Sequence, residues 1–212
     1  KPKALLEIKS KLLLNHILEK IPPSIEEIFI VTNDKFYIQF VWWLQQQNKE
    51  MKRRVDIIND GTISNETRLG GIGDLNLVIQ EKNISDDILV ISSDNFFTFS
   101  LEDFINFFNK VKKTTIGIFE ISDKEKLKKY GIIEVNESKV VGFEEKPSEP
   151  KSNLASIGIY LFSKEDVEKI KEYMKTDLSK DGPGYLVKYF VEKEDVYAYK
   201  FEGEWHDIGS LE

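Results

Sequence analysis

The chain is 212 residues long, 41% hydrophobic and 32% charged, with a formal net charge of −7. That composition fits one sizeable globular domain spanning residues 1–212, and it argues against a general nucleic-acid or anionic-membrane surface while leaving room for a small basic pocket for phosphates. Cysteine is absent and the histidines are His16 and His206, which excludes disulfides, thiolate sites and a cysteine nucleophile and argues against a multi-histidine zinc site.

Taken in chain order, Lys11 to Ile21 reads as a helix, with Leu13, Leu14, Ile17 and Ile21 at helical spacing and Pro22-Pro23 ending it. Glu27 to Val31 is a buried strand closed by Thr32-Asn33-Asp34. Asp34 to Gln47 is a helix with Phe36, Tyr37, Phe40, Val41 and Leu44 as its inner stripe, and Val55 to Ile58 is a short strand. Asn59 to Gly73 is rich in turn formers, and a loop this long inside a domain is often functional. Asp74 to Lys82 returns to helix. The run Ile88-Leu89-Val90-Ile91 predicts a strand buried on both faces. Alternating strands and helices to this point predict parallel βαβ units.

Ser100 and Asp103 predict a capping box opening a helix lined by Leu101, Phe104, Ile105, Phe108 and Val111. Thr114 to Phe119 is a buried strand. Gly131 to Val135, Lys139 to Glu144 and Leu154 to Phe162 are strands joined by short polar connections, where mixed or antiparallel pairing is expected. A second capping box, Ser163 with Asp166, opens a helix through Met174. Gly182-Pro183-Gly184 precedes a helix over Tyr185 to Glu192, and Val196 to Phe201 is the last strand. The expected fold class is α/β, a three-layer αβα sandwich with a mostly parallel mixed sheet. No apolar run approaches the roughly 18 residues of a membrane span, and no signal peptide is recognisable. The expected compartment is the cytoplasm, with neither nucleic acid nor membrane among the partners.

Four stretches carry chemistry. In Lys1-Pro2-Lys3-Ala4-Leu5-Leu6, proline stiffens the backbone before Lys3 and the apolar residues behind anchor it, a setting that suits a phosphate contact. Asp94-Asn95 follows the Ile88–Ile91 strand, and ligands in open α/β sheets bind beyond the carboxyl ends of strands. Asp94 is therefore a candidate cation ligand, although a capping aspartate reads the same way. In Gly142-Phe143-Glu144-Glu145-Lys146-Pro147, Glu145 can accept hydrogen bonds from sugar hydroxyls and Lys146 can neutralise a phosphate; a charged turn on an edge strand has the same pattern. In Trp205-His206-Asp207-Ile208-Gly209, Asp207 is a candidate second carboxylate on the cation of Asp94, since Mg²⁺ takes one or two carboxylates and fills its other positions with phosphate oxygens and water. His206 reads as a bystander and His16 as structural.

The order of these motifs resembles the sugar-1-phosphate nucleotidyltransferases, with glucose-1-phosphate thymidylyltransferases and uridylyltransferases as familiar members, and the resemblance spans essentially the whole chain. It implies a Rossmann-like, nucleotide-diphospho-sugar transferase-like fold. It implies attack of a sugar 1-phosphate oxygen on the α-phosphorus of an NTP, with pyrophosphate leaving and an NDP-sugar formed, most simply from dTTP or UTP with glucose 1-phosphate. It implies Mg²⁺ on Asp94 and Asp207, the triphosphate on Lys3, and the sugar and its phosphate on Glu145 and Lys146. Asn95 falls in the same substrate-binding set. Tyr130 and Gly131, with Ser156 and Gly158, are implied to lie along the sugar. Gly70 and Gly71 match the stretch that packs on the base, where glycine admits close backbone approach. Family members form dimers and tetramers, so a homo-oligomer is implied as well.

The sequence departs from the family at its front. It begins at Lys1 rather than Met, and the family's first central strand and glycine-rich loop are not in it. The resemblance therefore implies a native protein with about two dozen further residues, and a 212-residue chain inactive without that loop. Two other functions stay open at this stage: a non-catalytic homologue that binds a nucleotide sugar, and a cytidylyltransferase acting on a non-sugar phosphate.

Overall fold

The computed structural model describes residues 2–210, so Lys1 of the front motif lies outside the described residues. A 3₁₀ turn (Lys3–Leu5) leads into a tight hairpin of β1 (Glu7–Ile8) and β2 (Lys11–Leu12). Lys9 and Ser10 turn it with φ of 49° and 66°, the left-handed pair that a two-residue hairpin loop requires. Helix α1 (Leu13–Leu18) follows directly. It is shorter than the expected Lys11–Ile21, because the hairpin claims its first residues.

Next come β3 (Ile28–Thr32), α2 (Asp34–Gln45), α3 (Lys49–Arg54) and β4 (Val55–Asn59). The Asn33 and Asn48 side chains cap α2 and α3, each accepting a backbone N–H three residues on. Helix α3 was not foreseen: Lys-Glu-Met-Lys-Arg-Arg has no apolar stripe for a periodicity reading to find. Strands β3 and β4 pair in parallel, Ile28 with Val55 through Thr32 with Asn59.

The rest of the chain runs α4 (Gly71–Glu81), β5 (Ile88–Ile91), β6 (Asn95–Phe97), α5 (Glu102–Val111), β7 (Thr115–Glu120), α6 (Lys124–Leu127), β8 (Gly131–Asn136), β9 (Lys139–Glu145), β10 (Leu154–Phe162), α7 (Lys164–Tyr173), α8 (Pro183–Val191), β11 (Tyr197–Lys200) and β12 (Trp205–Asp207). A six-stranded sheet has the order β5-β10-β7-β11-β9-β8. Its β7–β11 ladder is parallel and its other neighbours are antiparallel. The mixed α/β sheet is as expected, but the balance leans antiparallel rather than mostly parallel, because hairpins and a long return strand, β10, supply most of the six-stranded sheet.

Strand β10 shows the layering. Tyr160 and Phe162 pack with Ile72 and Ile79 of α4, Val167 and Ile170 of α7, and Leu186, Val187 and Phe190 of α8. Ile159 and Leu161 point the other way, to Leu13 and Ile17 of α1, Phe96 and Phe97 of β6, and Phe104 and Phe108 of α5. Each fully buried side chain of this size contributes about 1.5–3 kcal/mol. Strand β5 departs from its expected burial on both faces. All four of its residues are half-buried, because among the described residues it is an edge strand, bonded only to β10.

Of the two expected capping boxes, the second forms its Ser163 half only, since the Ser163 amide donates to Thr114 Oγ1 rather than to Asp166, and the first does not form. Ser163 accepts the Asp166 amide at 3.4 Å. Before α5 the N-cap position is Leu101, fully buried, so Ser100 stands one residue early and accepts the Glu102 amide instead.

Candidate functional site

Two three-residue strands build the centre of the site. Strand β6 leaves Asp94 and pairs antiparallel with β12, setting Asn95 opposite Asp207 and Phe97 opposite Trp205. The Ile208 amide donates to the Asp94 carbonyl at 2.8 Å, and the Gly209 amide donates to Asp207 Oδ1 at 2.7 Å. Lys3 reaches the same place from the front of the chain, held by the buried Ala4 and Leu5 behind it. A Cβ built on Gly209 would lie 2.8 Å from Asp207 Oδ1, 2.9 Å from Lys3 Nζ and 3.1 Å from Asp94 Oδ2. Two carboxylates and an ammonium thus converge on one point, and glycine at 209 leaves it open.

The electrostatics follow from that crowding. Burial pushes the Asp94 carboxyl above the ordinary carboxylate range, the charge of Asp207 pushes it further, and Lys3 opposes both. Two hard oxygen donors repelling each other in a half-buried site fit a divalent cation such as Mg²⁺. Asn95, 4% exposed, fixes the floor. Its Oδ1 accepts the Trp205 indole N–H at 2.9 Å, and its Nδ2 donates to the Ser92 carbonyl. Gly158 lies directly beneath, in a bulge of β10, with φ +71°; a Cβ there would sit 2.6 Å from Ser92 Oγ and 2.8 Å from Asn95 Nδ2.

A second group gathers at the end of the β8–β9 hairpin. Gly131 pairs with Glu145, and the Lys146 amide donates to the Tyr130 carbonyl at 3.0 Å. A Cβ on Gly131 would come within 3.0 Å of Glu145 Oε2, and one on Gly184 of α8 within 2.7 Å. The Glu145 carboxylate therefore lies in a slot between two glycines. Burial raises its pKa, Lys146 lowers it and Asp181 raises it. Lys146 Nζ is 4.0 Å away on a largely exposed side chain. Lys146 adopts φ +48°, a strained conformation for a side chain with a Cβ and one that recurs where a group must be aimed. Ser156 donates to Tyr160 Oη at 3.3 Å, and burial pushes the Tyr160 phenol up to about 12. Trp205 joins the two groups: its ring meets Tyr130 edge-on at 5.0 Å while its N–H serves Asn95.

Gly70 and Gly71 lie elsewhere. Gly70, at φ +78°, is the N-cap of α4, and a Cβ on it would overlap the Lys180 carbonyl. The Gly71 and Ile72 amides donate to the Asp181 and Lys180 carbonyls at 2.5 Å and 3.1 Å. The close approach these glycines permit is, in this structure, to the backbone of the α7–α8 segment. That segment also carries residues the sequence reading passed over. Asp181 pairs with Arg68 at 2.8 Å, and Gly184 touches Glu145. Asp60 and Asp74 were passed over too. Burial and the Asp60 charge push the Asp74 carboxyl to about 6, and its Oδ1 has no hydrogen-bond partner. A carboxyl pKa raised by burial leaves no mark in a sequence. Of the two histidines, His16 Nε2 bonds the Ile8 carbonyl, and the His206 ring lies tilted 6.2 Å from that of Phe96. Among the described residues, no helix is long and apolar enough to cross a membrane.

The chain is 28% identical over 213 residues to the bifunctional protein GlmU of Methanocaldococcus jannaschii, covering 99% of this chain and 46% of that protein. It is 34% identical over 134 residues to the glucose-1-phosphate adenylyltransferase of Clostridioides difficile, covering 59% of this chain and 34% of that one. The chain thus spans half or less of the length of these relatives. A solved UDP-glucose pyrophosphorylase complexed with UDP-glucose shares its fold, with a TM-score of 0.79 at 19% identity over 99% of this chain and 86% of that one. The family model described as nucleotidyl transferase matches residues 1–212, and the chain belongs to that family.

Proposed function

We propose that the protein transfers a nucleoside monophosphate from an NTP to a sugar 1-phosphate, releasing pyrophosphate and an NDP-sugar. The observation that carries this reading is the convergence of Asp94, Asp207 and Lys3 on one open point. The reaction brings two polyanions together, so cationic groups must offset their repulsion. In this reading Lys3 takes the triphosphate, Lys146 the phosphate of the acceptor, and Glu145 the sugar hydroxyls, with Asn95, Tyr130, Gly131, Ser156 and Gly158 shaping the floor between them. Asp94 and Asp207 would hold Mg²⁺, and a bound Mg²⁺ would supply positive charge against the charge that builds on the phosphoryl oxygens. No covalent intermediate is needed, and orientation of the two substrates supplies much of the rate.

The relatives' names differ in base, adenylyl in one, guanyl in another and UDP in a third, and in sugar, with glucose recurring beside one mannose. A glucose-type hexose 1-phosphate is therefore the acceptor to test first, with dTTP or UTP as donor. Pyrophosphate release should be measured with four NTPs against several sugar 1-phosphates, in a full-length protein carrying Asp94→Asn or Asp207→Asn. Each change should cut Mg²⁺-dependent turnover by about 10³-fold, the scale of losing a transition-state charge contact. Wild-type turnover in either variant overturns the assignment.

A further inference from the structure

The segment Lys180–Gly184 runs from the α7–α8 connection into the first residues of α8, and it meets both the start of α4 and Glu145. Its own shape is locked from behind. Lys180 Nζ donates to the carbonyls of Thr176 at 2.8 Å, Leu178 at 2.7 Å and Tyr173 at 3.2 Å, and lies 4.6 Å over the Tyr173 ring. The Tyr173 hydroxyl donates to the Ser179 carbonyl at 2.6 Å. In front, the Lys180 and Asp181 carbonyls take the first amides of α4, and the Asp181 carboxylate pairs with Arg68. Three residues on, Gly184 abuts the Glu145 carboxylate.

We propose that this segment is a positioning strap: it holds Glu145 in the pose that meets the acceptor sugar and ties that pose to the start of α4, where Gly70 and Gly71 sit. The inference rests on the reading of Glu145 as an acceptor-binding residue. A glutamate on a strand end has several rotamers, and each one it must give up on binding costs affinity. The Gly131–Gly184 slot removes that freedom beforehand. A Cβ at 184 would come within 2.7 Å of Oε2 and 3.1 Å of the Phe143 ring, so the carboxylate would have to shift. Arg68, Asp181 and Gly184 are on this account positioning residues, acting through Glu145 rather than on substrate.

The charged and titratable groups around Glu145 give a readout that plain structural damage would not move. Lys146 faces it from its own strand end, Asp181 from the strap and Tyr160 from β10. Asp181 opposes ionisation of Glu145, so removing its charge should keep Glu145 ionised to lower pH.

The test uses steady-state kinetics of the full chain with dTTP, Mg²⁺ and glucose 1-phosphate, on Gly184→Ala, Asp181→Asn and Glu145→Gln. Gly184→Ala should raise KM for glucose 1-phosphate about tenfold, the scale of one hydrogen bond to a charged group, with kcat and the KM for dTTP within about threefold. Asp181→Asn, an exposed change that leaves the backbone intact, should shift the pH profile of the glucose 1-phosphate KM to lower pH. An unmoved KM in Gly184→Ala alongside a raised one in Glu145→Gln overturns the strap, as does an unmoved pH profile in Asp181→Asn. An unmoved KM in Glu145→Gln instead removes the acceptor reading, and the strap falls with it.

Discussion

Asp74 and Asp94 are two aspartates that the fold holds against their chemistry, for different ends. Asp74 has its pKa raised from an ordinary 3.8 to about 6 by burial and by Asp60. The unfolded chain releases that proton at lower pH than the folded one, so stability falls as pH rises from about 4 to about 6 and stays lowered above. Asp74→Asn removes the cost. It should stabilise the chain by about 1–2 kcal/mol at pH 8, after allowance for solvent screening, and by almost nothing at pH 4. Thermal melts at the two pH values check this, and an equal effect at both would refute the electrostatic cause. Asp94 carries the same sign of strain, from burial first and Asp207 second. Asp94→Asn should therefore lose turnover and gain melting temperature at neutral pH, a trade of stability for function. The two differ in legibility. Asp94 and Asp207 stand in short motifs whose order along the chain is readable. The raised pKa of Asp74 depends first on burial and then on the Asp60 carboxylate, both of which only folding brings about, and no local pattern announces it.

Elements show why a readable motif does not reveal the geometry that makes it work. Strands β6 and β12 are three residues each, too short for any alternation to register, yet their pairing is what sets Asn95 opposite Asp207. Strand β10, by contrast, was expected from Leu154 to Phe162 and forms with those bounds. Its irregularity was hidden. Between Ser156 and Tyr160 the register shifts, and Gly158 bends the strand under Asn95 with φ +71°. A side chain there is strained by its backbone and has no room beside Ser92 and Asn95. Gly158→Ala should cost about 2–4 kcal/mol, adding left-handed strain to overpacking, and should lower turnover by displacing the Asn95–Trp205 bond. Urea unfolding gives the first quantity. A loss under 0.5 kcal/mol would mean that the bulge relaxes freely and does not fix the site floor.

Across the whole molecule, the alternation of apolar strands with amphipathic helices was enough to read the α/β class, because each element's buried face repeats along the sequence. How the strands divide among sheets was not, because that depends on which edges meet. The β3–β4 ladder is a two-stranded sheet, and no ladder joins it to the six-stranded one among the described residues. It packs instead in its own apolar cluster with Leu14 and Leu18 of α1, Phe40 and Trp43 of α2, and Ala4 and Leu5 behind Lys3. Phe29, Ile30 and Val31 are half-buried, whereas Thr115 to Ile118 of β7 are buried throughout. A two-stranded ladder is marginal alone and opens more readily than the centre of a large sheet. In the 212-residue chain, native-state hydrogen exchange should show the Ile30 and Ile57 amides exchanging at least about tenfold faster than those of Ile116 and Tyr160. Lys3 is anchored in the same cluster as β3 and β4, while Asp94 and Asp207 are carried on β6 and β12, beside the other core. The opening of β3–β4 would then loosen the ammonium from the two carboxylates. Exchange of all four amides at a single free energy would show that the clusters open together and that the three charges stay locked.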